Sequence, residues 1–556
     1  MTNDGPPAIP RTRARLSFPL NGLAVLILLI GAAFARFPYL TSVPRFRDET
    51  FNALVALRIY RGERLPFTDH EPYISSLFNY IVAAGMLVVG PSIYAARTVV
   101  TSIGVLTVGA TYVLGREVGG TIVGLLASLF MLTNGIHIAP VGHVSFSGSI
   151  TPFFTTIAFW LFQRARVRRG GGTLVTASFV LGLAMLTHPT IVAFVPGIGG
   201  WYLWRNLGVL RTRWPYLAAL AFVVAFIPMI VYNVMSGGES IRYAVYTATE
   251  REDYTLGKST ALTLASYVDR QKGLWVMLHG TLGGAVDERK GIAGYLTDPQ
   301  LVATSLLAFA GTLWAASRHR YTLPIWLVGS FAALFPIFNA NHYGVEYDGR
   351  YVLPLLPMLY TGIGVLAVDA ARSIRGQFAA PMFRNAALLG VAAILMILVA
   401  TPLRSLARYY ERGLRADPSN ASLVRVVERI KEASQPGDIV VLDYNLNDRK
   451  VEDASEKDEA STFRVLRYIM EIERIPHETP DVDAATLADL VVRQQSAIVI
   501  LSAGFDSLDT ARLGDLIEEF ALQSFDGSSP RPPRPADLYG LYRLDPALAR
   551  SAMGRR

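Results

Sequence analysis

The sequence predicts a polytopic α-helical membrane protein that ends in a soluble α/β domain. Three observations carry this reading. Of the 556 residues, 51% are hydrophobic and 17% charged, a balance that an ordinary soluble surface does not sustain. Apolar runs long enough to cross a bilayer, about 17–25 residues each, recur between residues 16 and 402. Beyond residue 404 the apolar runs shorten to strand length and alternate with amphipathic helical patterns, the signature of an α/β module.

Residues 1–15 form an N-terminal tail with Arg11, Arg13 and Arg15, placed in the cytoplasm by the positive-inside rule. The first run, 16–35, ends in Ala33-Phe34-Ala35, which also fits a signal-peptidase site. Its length and the spans that follow read as an uncleaved anchor. Further runs lie near 94–115, 120–136, 149–163, 173–187, 189–204, 215–235, 299–317, 322–338, 351–370 and 385–402. The stretch 73–90 is ambiguous. If it crosses, the arginines at 164, 166, 168, 169, 205, 211, 213, 372, 375 and 384 all face outward. If it does not, they join the N-terminal arginines, Arg318 and Arg320 in the cytoplasm, as the charge rule requires. Parity therefore makes 73–90 a juxtamembrane or re-entrant helix and gives about eleven transmembrane helices, N-terminus in and C-terminus out. Two long outer loops follow, 37–93 and 236–298.

The membrane domain on this plan is 16–403, and 404–556 is an extracytoplasmic α/β accessory domain. In it, 422–434 has the spacing of an amphipathic helix, 438–443 and 497–502 read as buried strands, and helices fall near 484–494 and 509–521. A closing strand covers 538–544, 447–459 reads as a solvated loop, and 551–556 as a frayed tail. The absence of cysteine excludes disulfides, a thiol nucleophile and thiolate metal sites. The net charge of +8 resides mostly in short loops between apolar runs, so it marks membrane orientation rather than a nucleic-acid partner.

The chemistry-bearing residues gather on the outer side. Asp48 and Glu49 stand between Arg47 and a helical pattern with apolar Phe51, Leu54, Val55, Leu57 and Ile59, as in a helix lying along a membrane surface. Carboxylates there can simply cap a helix. The flanking Arg45 and Arg47 make a mixed-charge cluster instead, and a carboxylate beside cations suits transfer from a lipid-linked phosphate: the carboxylate activates an acceptor hydroxyl while arginine offsets the departing phosphate.

The order of short motifs is that of a known group. Arg47-Asp48-Glu49-Thr50, Leu57-x-x-x-Arg61-Gly62-Glu63, Glu71-Pro72, Tyr94-Ala95-Ala96-Arg97, Gly182-Leu183-Ala184-Met185-Leu186-Thr187-His188-Pro189 and Gly349-Arg350-Tyr351-Val352-Leu353-Pro354-Leu355-Leu356-Pro357 follow one another along residues 15–400. Together they resemble the GT-C superfamily of polyprenol-phosphate-sugar-dependent glycosyltransferases, closest to the protein O-mannosyltransferase and aminoarabinose-transferase group. The resemblance implies an inverting hexosyl- or pentosyltransferase of the cell envelope. Its donor is a polyprenyl phosphate sugar, and its acceptor a lipid, polysaccharide or protein on the outer face of the cytoplasmic membrane. It implies Asp48 as the catalytic carboxylate with Glu49 in support, and Arg350, His188 and Arg47 as donor-phosphate ligands. His70, Glu71 and Tyr351 become acceptor or phosphate contacts.

Each residue also has a plainer reading: Arg350 as an interfacial snorkelling arginine, His188 as a turn histidine where relatives carry lysine. The turn 142–149 departs from the family in lacking a second acidic residue, with His143 the nearest substitute. That departure leads to the expectation of a metal-independent reaction with no cofactor. Tyr243, Tyr246, Tyr254 and Trp275 can stack on a sugar or anchor the interface. Two other classes remain open, a lipid or glycan transporter and a non-catalytic scaffold. Transporters usually place ionisable groups at the midplane, whereas the clusters here lie at one interface.

Overall fold

The computed structural model describes residues 18–40, 47–69, 71–139, 141–142, 146–168, 170–204, 207–249, 252–253, 258–259, 262–284, 286, 292–318, 321–338, 349–415, 421–443, 460–502, 507–525, 529–533 and 539–555. Up to residue 415 the described residues form a helical bundle. The helices are α1 Phe18–Phe34, α2 Arg47–Tyr60, α3 Leu77–Val89, α4 Ala95–Gly119, α5 Thr121–Thr133, α6 Gly135–Ile138, α7 Thr151–Arg168, α8 Gly171–Thr187, α9 Val195–Leu203, α10 Trp214–Met235, α11 Glu239–Thr249, α12 Leu264–Gly283, α13 Ile292–Thr297, α14 Pro299–Ser317, α15 Leu323–Phe338, α16 Leu356–Gln377 and α17 Pro381–Arg415. Among the described residues six helices are long and apolar enough to cross a membrane, and five shorter ones are apolar.

Helix α3 is one of the short ones. Its 13 residues reach about 20 Å at 1.5 Å each, less than the roughly 30 Å of a hydrocarbon core. Gly90 ends it at φ 77, a conformation that side chains with a Cβ resist. Phe78, Val82, Ala83 and Met86 pack inward against Ala53, Ala56 and Leu57 of α2 and Ala95, Ala96 and Val100 of α4.

The stretch 236–298, read from the sequence as a loop, contains a 20-residue helix, α12, packed into the bundle. Its polar residues have a specific task. Pro336 in α15 has no N–H, so the Ala332 carbonyl lacks its donor four residues on. Gln271 Nε2 donates to that carbonyl at 2.5 Å. Tyr267 donates to the Ala333 carbonyl at 3.1 Å and Arg270 to that of Pro336 at 3.0 Å. Trp275 packs on Phe309 and Tyr246 on Tyr243, while Tyr254 lies outside the described residues.

At the far end of the bundle from α2, Glu117 holds Arg164 and Arg168, each at 3.6 Å, and Arg166 lies over the Trp201 ring. Helix α17 runs unbroken through residues 403 and 404, and Leu406, Tyr409 and Tyr410 belong to the bundle's core.

The C-terminal module has helices α18 Ala421–Ala433, α19 Ala460–Glu473, α20 Ala484–Val492, α21 Ser507–Glu519 and α22 Pro546–Met553. A two-stranded ribbon in the bundle supplies β1 Glu252–Asp253 and β2 Lys258–Ser259. The module adds β3 Ile439–Leu442, β4 His477–Glu478, β5 Ala497–Ser502, β6 Gln523–Ser524 and β7 Tyr539–Leu544. The sheet order is β4-β3-β5-β7-β6, parallel between β3 and both neighbours and antiparallel across β5-β7-β6. Val441 and Val499 enter one core layer, and Val440, Ile498 and Ile500 the other, so helices cover both faces.

One reading of the module needs correction. Residues 551–553 are not a frayed tail but the last turn of α22, capped by Asp545, whose carboxylate accepts from the Ala547 and Leu548 amides. Arg550 holds the helix in place by donating to the Val491 carbonyl at 3.0 Å. Strands β4 and β6, two residues each, carry too little pattern to be seen in a sequence.

Candidate donor and catalytic site

The N-terminal end of α2 is fixed first. Glu49, in its first turn, receives Arg97 of α4 in a two-point ion pair, Nε to Oε1 at 2.5 Å and NH2 to Oε2 at 2.7 Å. Arg97 also donates to the Leu40 carbonyl at 2.7 Å, tying in the segment after α1. Both side chains are buried, with residue exposures of 8% and 2%. A buried guanidinium and carboxylate offset each other's desolvation only in such geometry. Asp48 stands immediately before Glu49 in the same turn; its side chain and that of Arg47 lie outside the described residues.

One turn along α4, Thr101 donates to the Gly142 carbonyl at 3.4 Å. This joins α4 to the turn whose far part carries Phe146, Gly148 and Ser149. There Arg350 lies over the Phe146 ring at 4.7 Å and over the Tyr351 ring at 4.8 Å, and its NH2 donates to the Tyr351 hydroxyl at 2.9 Å. A Cβ added at Gly148 would stand 2.9 Å from Phe146 Cε2, so this glycine leaves room for the ring that Arg350 covers. The short 3-10 turns Gly349–Tyr351 and Leu353–Leu355 lead from Arg350 into α16.

His188 ends α8 and meets Tyr351 edge-on at 5.3 Å. Its Nδ1 accepts from the Thr190 amide at 3.3 Å and lies 2.9 Å from the Thr190 hydroxyl. With Nδ1 so used, a neutral ring carries its proton on Nε2. Nearby, Thr151 and Thr187 hydroxyls share a hydrogen bond of 2.8 Å between α7 and α8.

The segment before α3 closes on this cluster. Asp69 Oδ1 accepts from the Glu71 amide at 2.7 Å, and the Ile74 amide donates to the Glu71 carbonyl at 3.1 Å. This makes a tight turn that presents Tyr73. That ring stacks on Tyr243 at 5.4 Å, and burial, then the charge of Glu71, with Tyr351 close by, pushes its hydroxyl well above the usual range. It therefore remains a proton donor. Ser240 of α11 holds the turn through the Pro72 carbonyl at 2.6 Å.

Three sequence-derived candidates, Arg350, Tyr351 and His188, thus form one contact cluster, and Glu71 lies in the turn that carries Tyr73. Glu49 faces Arg97 instead. His70 and His143 lie outside the described residues. Arg97, Phe146 and Tyr73 had been given no role. Arg97 carried a signal, a charge in the first turn of an apolar span; Phe146 and Tyr73 did not stand out from other aromatics near an interface.

Residues 72–232 match the family of dolichyl-phosphate-mannose-protein mannosyltransferases. Over those residues the chain is similar to a glycosyltransferase domain of this type. ArnT from Cupriavidus metallidurans, in its undecaprenyl phosphate-bound structure, aligns with a TM-score of 0.52 at 14% identity, over 96% of this chain and 99% of that one. Its apo structure gives a TM-score of 0.51 with the same identity and coverage. At this identity the likeness concerns the fold. The shared fold runs over nearly the whole chain, C-terminal module included. No curated protein matches the sequence significantly.

Proposed function

We propose that the GT-C domain transfers a sugar from a polyprenyl phosphate donor to a lipid, polysaccharide or protein acceptor on the outer face of the cytoplasmic membrane. Eleven crossings place the tail inside and the α/β module outside. The observation that carries the proposal is Arg350, held between two aromatic rings beside His188, at the end of the bundle where α2 and α4 begin. The undecaprenyl phosphate bound by the ArnT structure supports the donor class.

In the proposed reaction the Asp48 carboxylate takes the proton of the acceptor hydroxyl as its oxygen attacks the anomeric carbon. The bond from that carbon to the phosphate oxygen breaks on the opposite face, inverting the centre and releasing polyprenyl phosphate. Arg350, with Arg47 and the Nε2 proton of His188, meets the charge on the departing phosphate. Tyr351 orients Arg350, and Glu71 and His70 are assigned to contact with the acceptor or the phosphate. Glu49 acts through position, pinning the turn that bears Asp48. The reaction is proposed to proceed without a metal or other cofactor; activity that EDTA abolishes and only a divalent ion restores would remove that part.

The test is transfer of radiolabelled sugar from a panel of polyprenyl phosphate donors in membranes containing the native chain or Arg350→Ala. Turnover that falls at least tenfold in the variant supports the reading. No turnover with any donor would move the account to a scaffold or a transporter.

A further inference from the structure

A cleft of about 790 Å³ lies at the seam between the bundle and the C-terminal module, at the end of α2 opposite Asp48. From Asp48 to Arg61 is 13 residues, about 20 Å along the helix, so the cleft is separate from the candidate site. Tyr60, Arg61, Glu63 and Leu87 line it from the bundle, with Arg61 3.7 Å from the Glu63 carboxylate, and Glu471, Arg474 and His477 from the module.

The cleft's charges are unequally committed. Glu471 receives Arg58 and Arg61, each at 3.4 Å, and stands 4.0 Å from the His477 ring. Arg474 is exposed and enters no ion pair among the described residues. Its backbone is unusual. The Ile475 amide donates to the Met470 carbonyl at 2.9 Å, closing α19 with a left-handed residue at position 474, φ 54. Glycine is the residue this closure favours. A long cation stands there instead, directed to the seam.

The apolar side is equally specific. Leu87 and Val88, in the last turn of α3, are 75% and 86% exposed, and Tyr80 and Ala84 continue the same helical face. In a membrane protein such a face meets hydrocarbon. Guanidinium groups and a tyrosine directly beside the end of an apolar face lie at headgroup depth.

We propose that this cleft binds the phosphate headgroup of an anionic phospholipid, with Arg474 on the phosphate, Tyr60 at the glycerol level and the acyl chains along Leu87 and Val88. The lipid then fastens the module to the bilayer next to α2. The proposal needs only the membrane placement of the chain and is independent of the transfer reaction.

The test uses the full-length protein in detergent, native and Arg474→Gly, titrated with dihexanoyl phosphatidylglycerol, dihexanoyl phosphatidylcholine and inorganic phosphate. Because glycine suits the backbone at 474, the variant should unfold at or above the native midpoint, which separates binding from folding. The expected result is phosphatidylglycerol affinity about tenfold weaker in Arg474→Gly, the scale of one lost charge-assisted hydrogen bond, with phosphatidylcholine weak and alike in both. Equal phosphatidylglycerol affinity in the two proteins overturns the proposal. Inorganic phosphate binding as tightly as phosphatidylglycerol would mark a free-anion site and overturn the lipid assignment. An equal loss for both lipids would leave only apolar contact and overturn the headgroup role.

Discussion

Removing one member of the Glu49–Arg97 pair strands the other as a buried charge. The pair makes two contacts of 2.5 and 2.7 Å, and Arg97 gives a third bond to Leu40. Breaking a buried pair from one side costs about 3–5 kcal/mol, mostly the penalty of the charge left behind. Glu49→Leu and Arg97→Met should each lose that amount. The double variant removes both charges and fills the space with apolar side chains, so it should lie within about 2 kcal/mol of the native protein. The assay is unfolding in mixed detergent micelles with increasing dodecyl sulfate, followed by tryptophan fluorescence, for all four proteins of the cycle. Single losses below about 1 kcal/mol, or a double loss equal to the sum of the singles, would refute the argument. Sugar transfer measured on the same four proteins gives the functional side. If Glu49 only positions Asp48, the double variant recovers activity as well as stability. Recovery of stability without activity would give the Glu49 carboxylate a direct part in the reaction.

Arg350→Ala removes a charge-assisted hydrogen-bond donor worth about 1.5–3 kcal/mol, so undecaprenyl phosphate should bind about 10–100-fold more weakly by equilibrium titration. Gly311→Ala places a Cβ 2.3 Å from the Gly362 carbonyl oxygen where α14 meets α16, whereas a Cβ at Gly329 meets nothing within 4 Å. The first should lose about 1–3 kcal/mol or more and the second should be nearly neutral, read from the same dodecyl sulfate titration. Glu471→Ala removes the carboxylate that holds Arg58 and Arg61 and should speed hydrogen exchange in α2 and α19 while leaving α14 and α16 protected.

The bundle was legible because hydrocarbon imposes a length. Every apolar run expected to cross has a helix within it, and 73–90 holds a helix of 13 residues, the same length as α5. The strands 439–442 and 497–502 were legible for a related reason, since strands buried on both faces are continuous apolar runs. Helix α12 was not, because its apolar contacts alternate with Tyr267, Arg270 and Gln271, whose purpose is set by Pro336 some 65 residues later. The same limit applies to the site. Short motifs pointed to Arg350, His188 and Tyr351. The adjacency of Asp48 and Glu49, however, concealed a division: two neighbouring carboxylates on a helix point in directions about 100° apart, and the one at 49 turns to Arg97. The seam with the module depends on Glu471, Arg58 and Arg61, more than 400 residues apart in the chain, a relation that no local pattern contains.

The most direct measurement is sugar transfer from polyprenyl phosphate donors by the native protein and by Asp48→Asn, an exchange that keeps the size of the side chain and removes its basicity. The account predicts turnover in the native protein with at least one donor and a fall of about 10²–10⁴-fold in the variant, the range of a lost general base, with donor-lipid binding unchanged. Turnover undiminished in Asp48→Asn would contradict it.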